Sequence, residues 1–193
     1  SRYRPAIGLL RLCGPALASF DLRRLARPIL EALAEQTGES VNLMVPDGNY
    51  GLYVDSVESR QNIRMVVRIG AQEHLHRSAV GKAILAHLPD AKRDAVLDAA
   101  GLARATEKTI VDRDALLTQL AEVRARGWAL DDEEGEAGTR CCGAPIFDGE
   151  GKVLGALSVA GPAFRLPLER LAALAPAVKV AATRVSACFG HRG

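Results

Sequence analysis

Apolar residues in this chain recur at two different periods, and the switches between them mark out its elements. From Asp21 to Gly38 the positions Leu22, Leu25, Ile29, Leu30 and Leu33 fall at helical spacing, on one face of an α-helix. Asp21 is placed to cap that helix and Gly38 to end it in a left-handed conformation. Pro28 should kink the helix or divide it in two. The period then drops to two. Val41 to Val45 and Tyr50 to Val57 read as strands joined by the turn Asp47-Gly48-Asn49, and Ile63 to Ile69 reads as a third strand stopped by Gly70. Helical spacing returns after Ser78, a capping residue, through Val80, Ile84 and Leu85, and ends before Pro89. Asp90 to Ala100 forms another helix closed by Gly101. After a loop over 101–111, Asp112 or Asp114 starts a third, running through Leu116, Leu117, Leu120 and Val123 to Gly127.

The last third of the chain returns to strands. Trp128 to Leu130 is a short one, and Leu130 to Pro162 holds an acidic patch, a glycine-bearing loop and two apolar runs. Asp148-Gly149-Glu150-Gly151 separates the runs, the strongest local signal for a β-hairpin. Pro167 opens a final helix with Leu168, Leu171, Leu174, Val178 and Val185 on its apolar side, and Pro176 should bend it. Strand runs separated by a helical insert predict an α+β domain, not a doubly wound parallel sheet. The sheet should be largely antiparallel. The terminal helices should pack on one face and the middle helices on the other, leaving a cavity there. Residues 1–20, broken by Pro5, Gly8, Gly14 and Pro15, read as a connecting segment, part helix and part turn, ahead of a domain over 21–193.

Composition narrows the picture. The 193 residues suit one domain with a sizeable core. Aromatic content of 4% argues against a stacking platform for single-stranded nucleic acid. A net charge of +2 is far from the basic footprint of a stand-alone DNA binder. Arg2, Arg4, Arg11, Arg23, Arg24 and Arg27 cluster near the start, either as a solvated helix face or as a junction to a nucleic-acid-binding segment that is not part of the chain. Cys13, Cys141, Cys142 and Cys188 match neither zinc nor redox spacing. With no signal peptide and no membrane-spanning run, a reducing, cytoplasmic setting is expected. The start at Ser-Arg-Tyr-Arg-Pro reads as a piece cut from a longer protein.

Several residues carry candidate chemistry, each beside a plainer alternative. His74 and His76, next to Glu73, would join Asp131 and Cys141 in a metal site if the fold gathered them, or are ordinary loop histidines. Cys141 with His76 and an aspartate has the makings of a nucleophilic triad, against the common fate of a cysteine as a small buried residue. Gly149-Glu150-Gly151 lies in a hairpin and is not a phosphate loop. Ser78-Ala79-Val80-Gly81 opens a helix whose free backbone N–H groups would suit a carboxylate, or is simply a cap. The run Asp131 to Glu134 is a solvated acidic loop by default, although it abuts an apolar strand and one carboxylate could turn inward.

Five segments together resemble the C-terminal effector-binding domain of IclR-type bacterial transcriptional regulators. They are LARPILEALAEQTGESVNLMV, GLYVDSVES with IRMVVRIG, LHRSAVGKAILAHLP, the pair Thr109-Ile110, and VRARGWALDDEEGEAGTRCCGAPIFDGEGKVLGALSVAGP. The likeness runs from about Phe20 to Cys188, and SRYRPAIGLLRL is similar to the end of the family's winged helix-turn-helix and linker. The resemblance implies a GAF-like α+β domain with a largely antiparallel sheet flanked by helices. It implies binding of a small organic or aromatic acid, no cofactor, no catalysis and no membrane partner. It also implies a homodimer or homotetramer that passes the signal to DNA through an N-terminal domain. Carried over by position, the ligand-binding residues are Met65, Glu73, Ala79, Val80, Asp131, Cys141, Ser158 and Ala160. Three of these surroundings depart from the family pattern: Ala160 replaces a common second hydroxyl, His74 a frequent proline, and Glu73 an often apolar wall residue. Two other readings stand beside this one. One is a small metal- or cysteine-dependent enzyme using His74, His76, Asp131 and Cys141. The other is a dimerisation module with a collapsed pocket.

Overall fold

The computed structural model describes residues 9–192. Its elements in chain order are α1 (Leu9–Thr37), β1 (Ser40–Asp47), β2 (Tyr50–Val57), β3 (Gln72–Glu73), a single 3-10 turn (Leu75–Arg77), α2 (Ala79–Leu85), α3 (Asp90–Ala100), α4 (Arg113–Arg126), β4 (Ala129–Asp132), β5 (Thr139–Phe147), β6 (Val153–Pro162) and α5 (Leu168–Ala187). The fold is α+β. Six strands form one sheet in the order β3-β2-β1-β6-β5-β4, and every pairing is antiparallel.

The two periods read from the sequence become the two faces of this sheet. Val41, Leu43, Val45, Cys142, Ala144, Leu157 and Val159 point to the face covered by α1 and α5, where Leu30, Leu33, Leu171 and Val178 meet them. Met44, Tyr53, Ala129 and Ala156 point to the opposite face, beneath Val80, Ile84, Val96, Leu116 and Leu120 of the three middle helices. Both faces are therefore buried, and apolar burial on each is the main stabilising term. The β5–β6 turn closes because the Asp148 carboxylate accepts from the backbone N–H of Glu150 and Lys152, both at 2.9 Å, while Gly151 takes φ +77°.

Three expectations need correction. Asp21 does not cap α1: the helix is already running at Leu9, and Asp21 stands on its exposed side. Pro28 does not divide the helix, which continues unbroken to Thr37. The part of the expected 1–20 linker from Leu9 onward is thus helical and continuous with the packed helix; its first eight residues lie outside the described residues. Finally, Ile63 to Ile69 is not a strand, and the third strand is the short pair Gln72–Glu73. The segment alternates, but its backbone groups are taken elsewhere. The Met65 carbonyl accepts from Ser40 Oγ, and the Ile63 carbonyl from Arg165. Ile63, Val66 and Ile69 remain exposed.

One irregularity lets β2 serve both faces. Leu43 pairs with Asp55 and Met44 with Tyr53, so Val54 is an extra residue in β2. A bulge of this kind breaks the strand's alternation. Tyr53 faces the middle helices, yet Asp55, two residues on, turns to the other face and meets α1.

Candidate functional site

Between the sheet and the start of α2 lies a cavity of about 180 Å³. It is lined by Asn42 of β1, Tyr53 of β2, Met65 and Glu73, Ser78 to Val80, Asp131 and the loop after it, Thr139 and Cys141 of β5, and Ser158 of β6. Of the eight positions expected from the sequence, seven lie on this wall. Ala160 does not. It is fully buried and packs with Ala79 and Cys141 just behind the lining. Larger hollows elsewhere, such as one of about 590 Å³ beside Arg27 and Arg60, are lined mainly by exposed side chains.

Each wall has a local cause. Ser78 caps α2 by accepting from Gly81 N–H at 3.1 Å. The N–H groups of Ala79 and Val80, in the first turn, precede the helix's own hydrogen-bond ladder. They reach the sheet because β5 carries a glycine beneath them: a Cβ on Gly143 would stand 3.0–3.1 Å from Ala79 and Val80 backbone atoms. Glu73, at the rim, is already engaged, accepting from Arg77 Nε at 2.6 Å and from His74 N–H at 2.8 Å.

The acidic run splits in two. Asp132 and Glu133 face outward to Lys108 and Arg140. Asp131 and Glu134 turn inward and are nearly fully buried. The turn between them is strained: Glu133 has φ +64°, the one non-glycine residue among those described with positive φ. Hydroxyls hold it in place, Thr106 donating to the Glu133 carbonyl and Thr109 to that of Glu134, each at 2.7 Å. From below, the buried Lys82 ammonium pairs with Glu134. Neither member of that pair stands out in the sequence, where Lys82 looks like a solvated helix residue and Glu134 like the end of a charged loop.

The buried groups hold their neutral forms more firmly than usual. Burial raises Asp131 to about 7, against hydrogen bonds from the Glu134 and Gly135 backbone and the charge of Lys82, which pull it down. Burial also pushes the Cys141 thiol well up, and nearby Asp131 adds to that. The Tyr53 phenol is raised far above its ordinary range, again by burial first. Burial lowers Lys82, and Glu134 opposes the shift. A thiol so disfavoured as thiolate is a poor nucleophile.

The histidines do not join this wall. The His74 and His76 rings stand edge to face at 5.5 Å, with Tyr50 against His74. His76 Nε2 meets the Ala103 carbonyl at 3.2 Å, and burial pushes its pKa down to about 4. Among the described residues no three His, Cys, Asp or Glu side chains are grouped to hold a metal ion. The set His74, His76, Asp131 and Cys141 is thus not assembled, and the triad of Cys141 with His76 is not formed.

Comparison with known proteins agrees with this architecture. Residues 14–187 match the family described as bacterial transcriptional regulator IclR, C-terminal. The regulator BhcR of Paracoccus denitrificans is 41% identical over 161 residues, 83% of this chain but 58% of that protein, so the chain spans less than two thirds of it. The regulator KdgR of Escherichia coli is 34% identical over 98% of this chain and 72% of its own length. The crystal structure of Thermotoga maritima IclR superposes with a TM-score of 0.86 at 35% identity, covering 98% of this chain and 77% of that one. These relatives are transcriptional regulators, not enzymes. No helix among the described residues is long and apolar enough to cross a membrane.

Proposed function

The chain belongs to the IclR family of bacterial transcriptional regulators, as their C-terminal effector-binding domain, and from that premise we propose that its cavity binds a small organic acid and that binding alters how an attached DNA-binding domain engages DNA. One observation carries this reading: a single buried cavity collects Met65, Ala79, Val80, Asp131, Cys141 and Ser158 from separate parts of the chain. The first-turn N–H groups of Ala79 and Val80 orient the carboxylate. Asp131, whose carboxyl burial pushes up to about 7, donates a charge-assisted hydrogen bond to it in its protonated form. Met65 and Val80 set the size of the ligand.

Transmission begins at β2. Tyr53 touches the cavity, and the bulge beside it turns Asp55 toward α1. There Arg27 donates to the Asp55 carboxylate and the Ser56 carbonyl, both at 3.0 Å, and Arg23 approaches Asp55 at 3.5 Å. Residues 1–20 then form the linker from a winged helix-turn-helix domain to the effector domain over 21–193. The ligand favours one arrangement of a homodimer or homotetramer through α1.

The test is a thermal-shift screen of the chain and its Asp131→Ala variant against small carboxylic acids, since an asparagine would keep a donor at this place. An acid at a hundred times its Kd stabilises by about 2.7 kcal/mol. A stabilising acid whose affinity falls in the variant supports the reading. Stabilisation that Asp131→Ala leaves untouched removes Asp131 from the site.

A further inference from the structure

We infer that the ligand of this cavity is a short aliphatic acid bearing several hydroxyl groups, not an aromatic acid. The inference rests on the effector-site reading above and narrows its chemical class. Volume does not decide the matter, since a cavity on the order of 150 Å³ already holds a benzene-sized molecule. The walls do decide it.

Four hydrogen-bonding side chains on the lining have no partner for their donor groups among the described residues. The Asn42 carbonyl oxygen is taken by Ser56 Oγ at 2.9 Å, which leaves the amide NH₂ for the cavity. The hydroxyls of Tyr53, Thr139 and Ser158 line the same space, none of them bonded to another described group. Asn42 and Ser158 are each 2% exposed and Tyr53 9%, yet their donor atoms are not sealed off, so water in the cavity meets the need until a ligand displaces it. Tyr53 stays a neutral donor because burial holds its phenol far above the usual range. Asp131 uses one oxygen to accept from Glu134 N–H at 2.8 Å.

A buried donor left unpaired is costly, whereas one exchanged from water to a ligand oxygen is nearly neutral or favourable. A flat ring would leave these groups facing carbon. The lining offers it little in return: Met65, Ala79, Val80 and Cys141 present small or flexible apolar side chains, and Tyr53 is the sole aromatic among the lining residues. A chain with hydroxyls on successive carbons matches donors that converge from three strands, β1, β2 and β6, and from Thr139 at the start of β5. The carboxylate goes to Ala79, Val80 and Asp131 as before.

Titration calorimetry with matched probes tests this. D-glycerate and L-threonate carry two and three hydroxyls, propionate and butyrate are their bare counterparts, and benzoate is the aromatic case. At least one hydroxylated acid should bind about tenfold or more tighter than its bare counterpart and than benzoate, the consequence of one or more unpaired donors. The double variant Ser158→Ala, Thr139→Val should bring that preference toward one; circular dichroism melting identifies any variant that fails to fold, in which case Ser158→Ala alone is used. Benzoate or butyrate binding as tightly as the hydroxylated acids, with affinity still dependent on Asp131, overturns the inference and leaves the effector-site reading standing. No binding by any of the five acids overturns both.

Discussion

A single residue shows how burial sets the chemistry here. Asp131 titrates near 7 in the folded chain and near 3.8 when exposed. Between those values the folded state holds a proton that the unfolded state has lost. The group's contribution to stability is therefore complete below about pH 4 and is lost as pH rises through about 7. His76 runs the other way: held neutral with a pKa pushed to about 4, it contributes stability above its ordinary value of 6.5 and loses it as pH falls toward 4. Asp131→Asn should thus gain stability relative to wild type, by about 1–4 kcal/mol, as pH is raised from 4 to 8. Urea denaturation at four pH values measures this; a difference that is flat with pH would place Asp131 in water. Ligand uptake should follow the same proton, with carboxylate affinity falling about tenfold per pH unit above 7. Asp131, Cys141 and Ser158 are legible in the sequence because the pocket positions implied by the family resemblance fall on them. Asn42, Tyr53 and Thr139 are not, because a polar residue in a strand looks the same whether it faces water or a cavity. Lys82 is hidden for a similar reason, since nothing local says that its partner lies 52 residues away.

At the scale of elements, the cavity exists because α2 is pressed to the sheet and clipped to the turn after β4. The clip is the buried Lys82–Glu134 pair, in which Glu134 Oε2 has no further partner among the described residues. Removing one member leaves an uncompensated charge, so Lys82→Met should destabilise by about 3–5 kcal/mol, while Lys82→Met with Glu134→Leu should recover most of the loss. Chemical denaturation of the two singles and the double closes that cycle; a double variant no better than the singles would show that the pair acts through shape, not charge. The close approach of α2 depends on Gly143. Gly143→Ala should push Ala79 and Val80 away by a few tenths of an ångström, cost about 1–3 kcal/mol, and weaken acid binding in calorimetry. Element identities are mostly readable from period and punctuation: the hairpin turn, α3 and the caps at Ser78 and Gly127 stand where the sequence puts them. Ile63 to Ile69 misleads because alternation signals an extended chain with one half-buried side but does not supply a strand to pair with. The bulge at Val54 is not readable from the residue types, since two apolar residues followed by two polar ones fit a strand end as well as a bulge.

For the whole molecule, the sheet is a partition with the cavity on one side and the long first helix on the other. β2 reaches both, through Tyr53 and Asp55. The ion pairs of Asp55 with Arg23 and Arg27 tie α1 to the sheet, and Arg27→Ala should raise hydrogen exchange along residues 22–30 of α1 while leaving exchange in α3 and α4 unchanged. Equal protection in both proteins would show that the clamp carries no stability. The antiparallel sheet between two helical layers is legible from the order of periods alone. The position of α1 along the partition is not, because a helix that starts at Leu9 and passes through Pro15 and Pro28 breaks the local rules for where helices end. If the cavity between α2 and the sheet is where a small acid is sensed, amide chemical shifts of the chain titrated with L-threonate will map to it. The largest shifts are expected at Asn42, Tyr53, Ala79, Val80, Asp131 and Ser158, with smaller ones continuing through Asp55 into α1. Shifts confined to the outer hollow between α1 and α5, around Ile29, Ala177 and Val180, would refute a sensing role for the cavity.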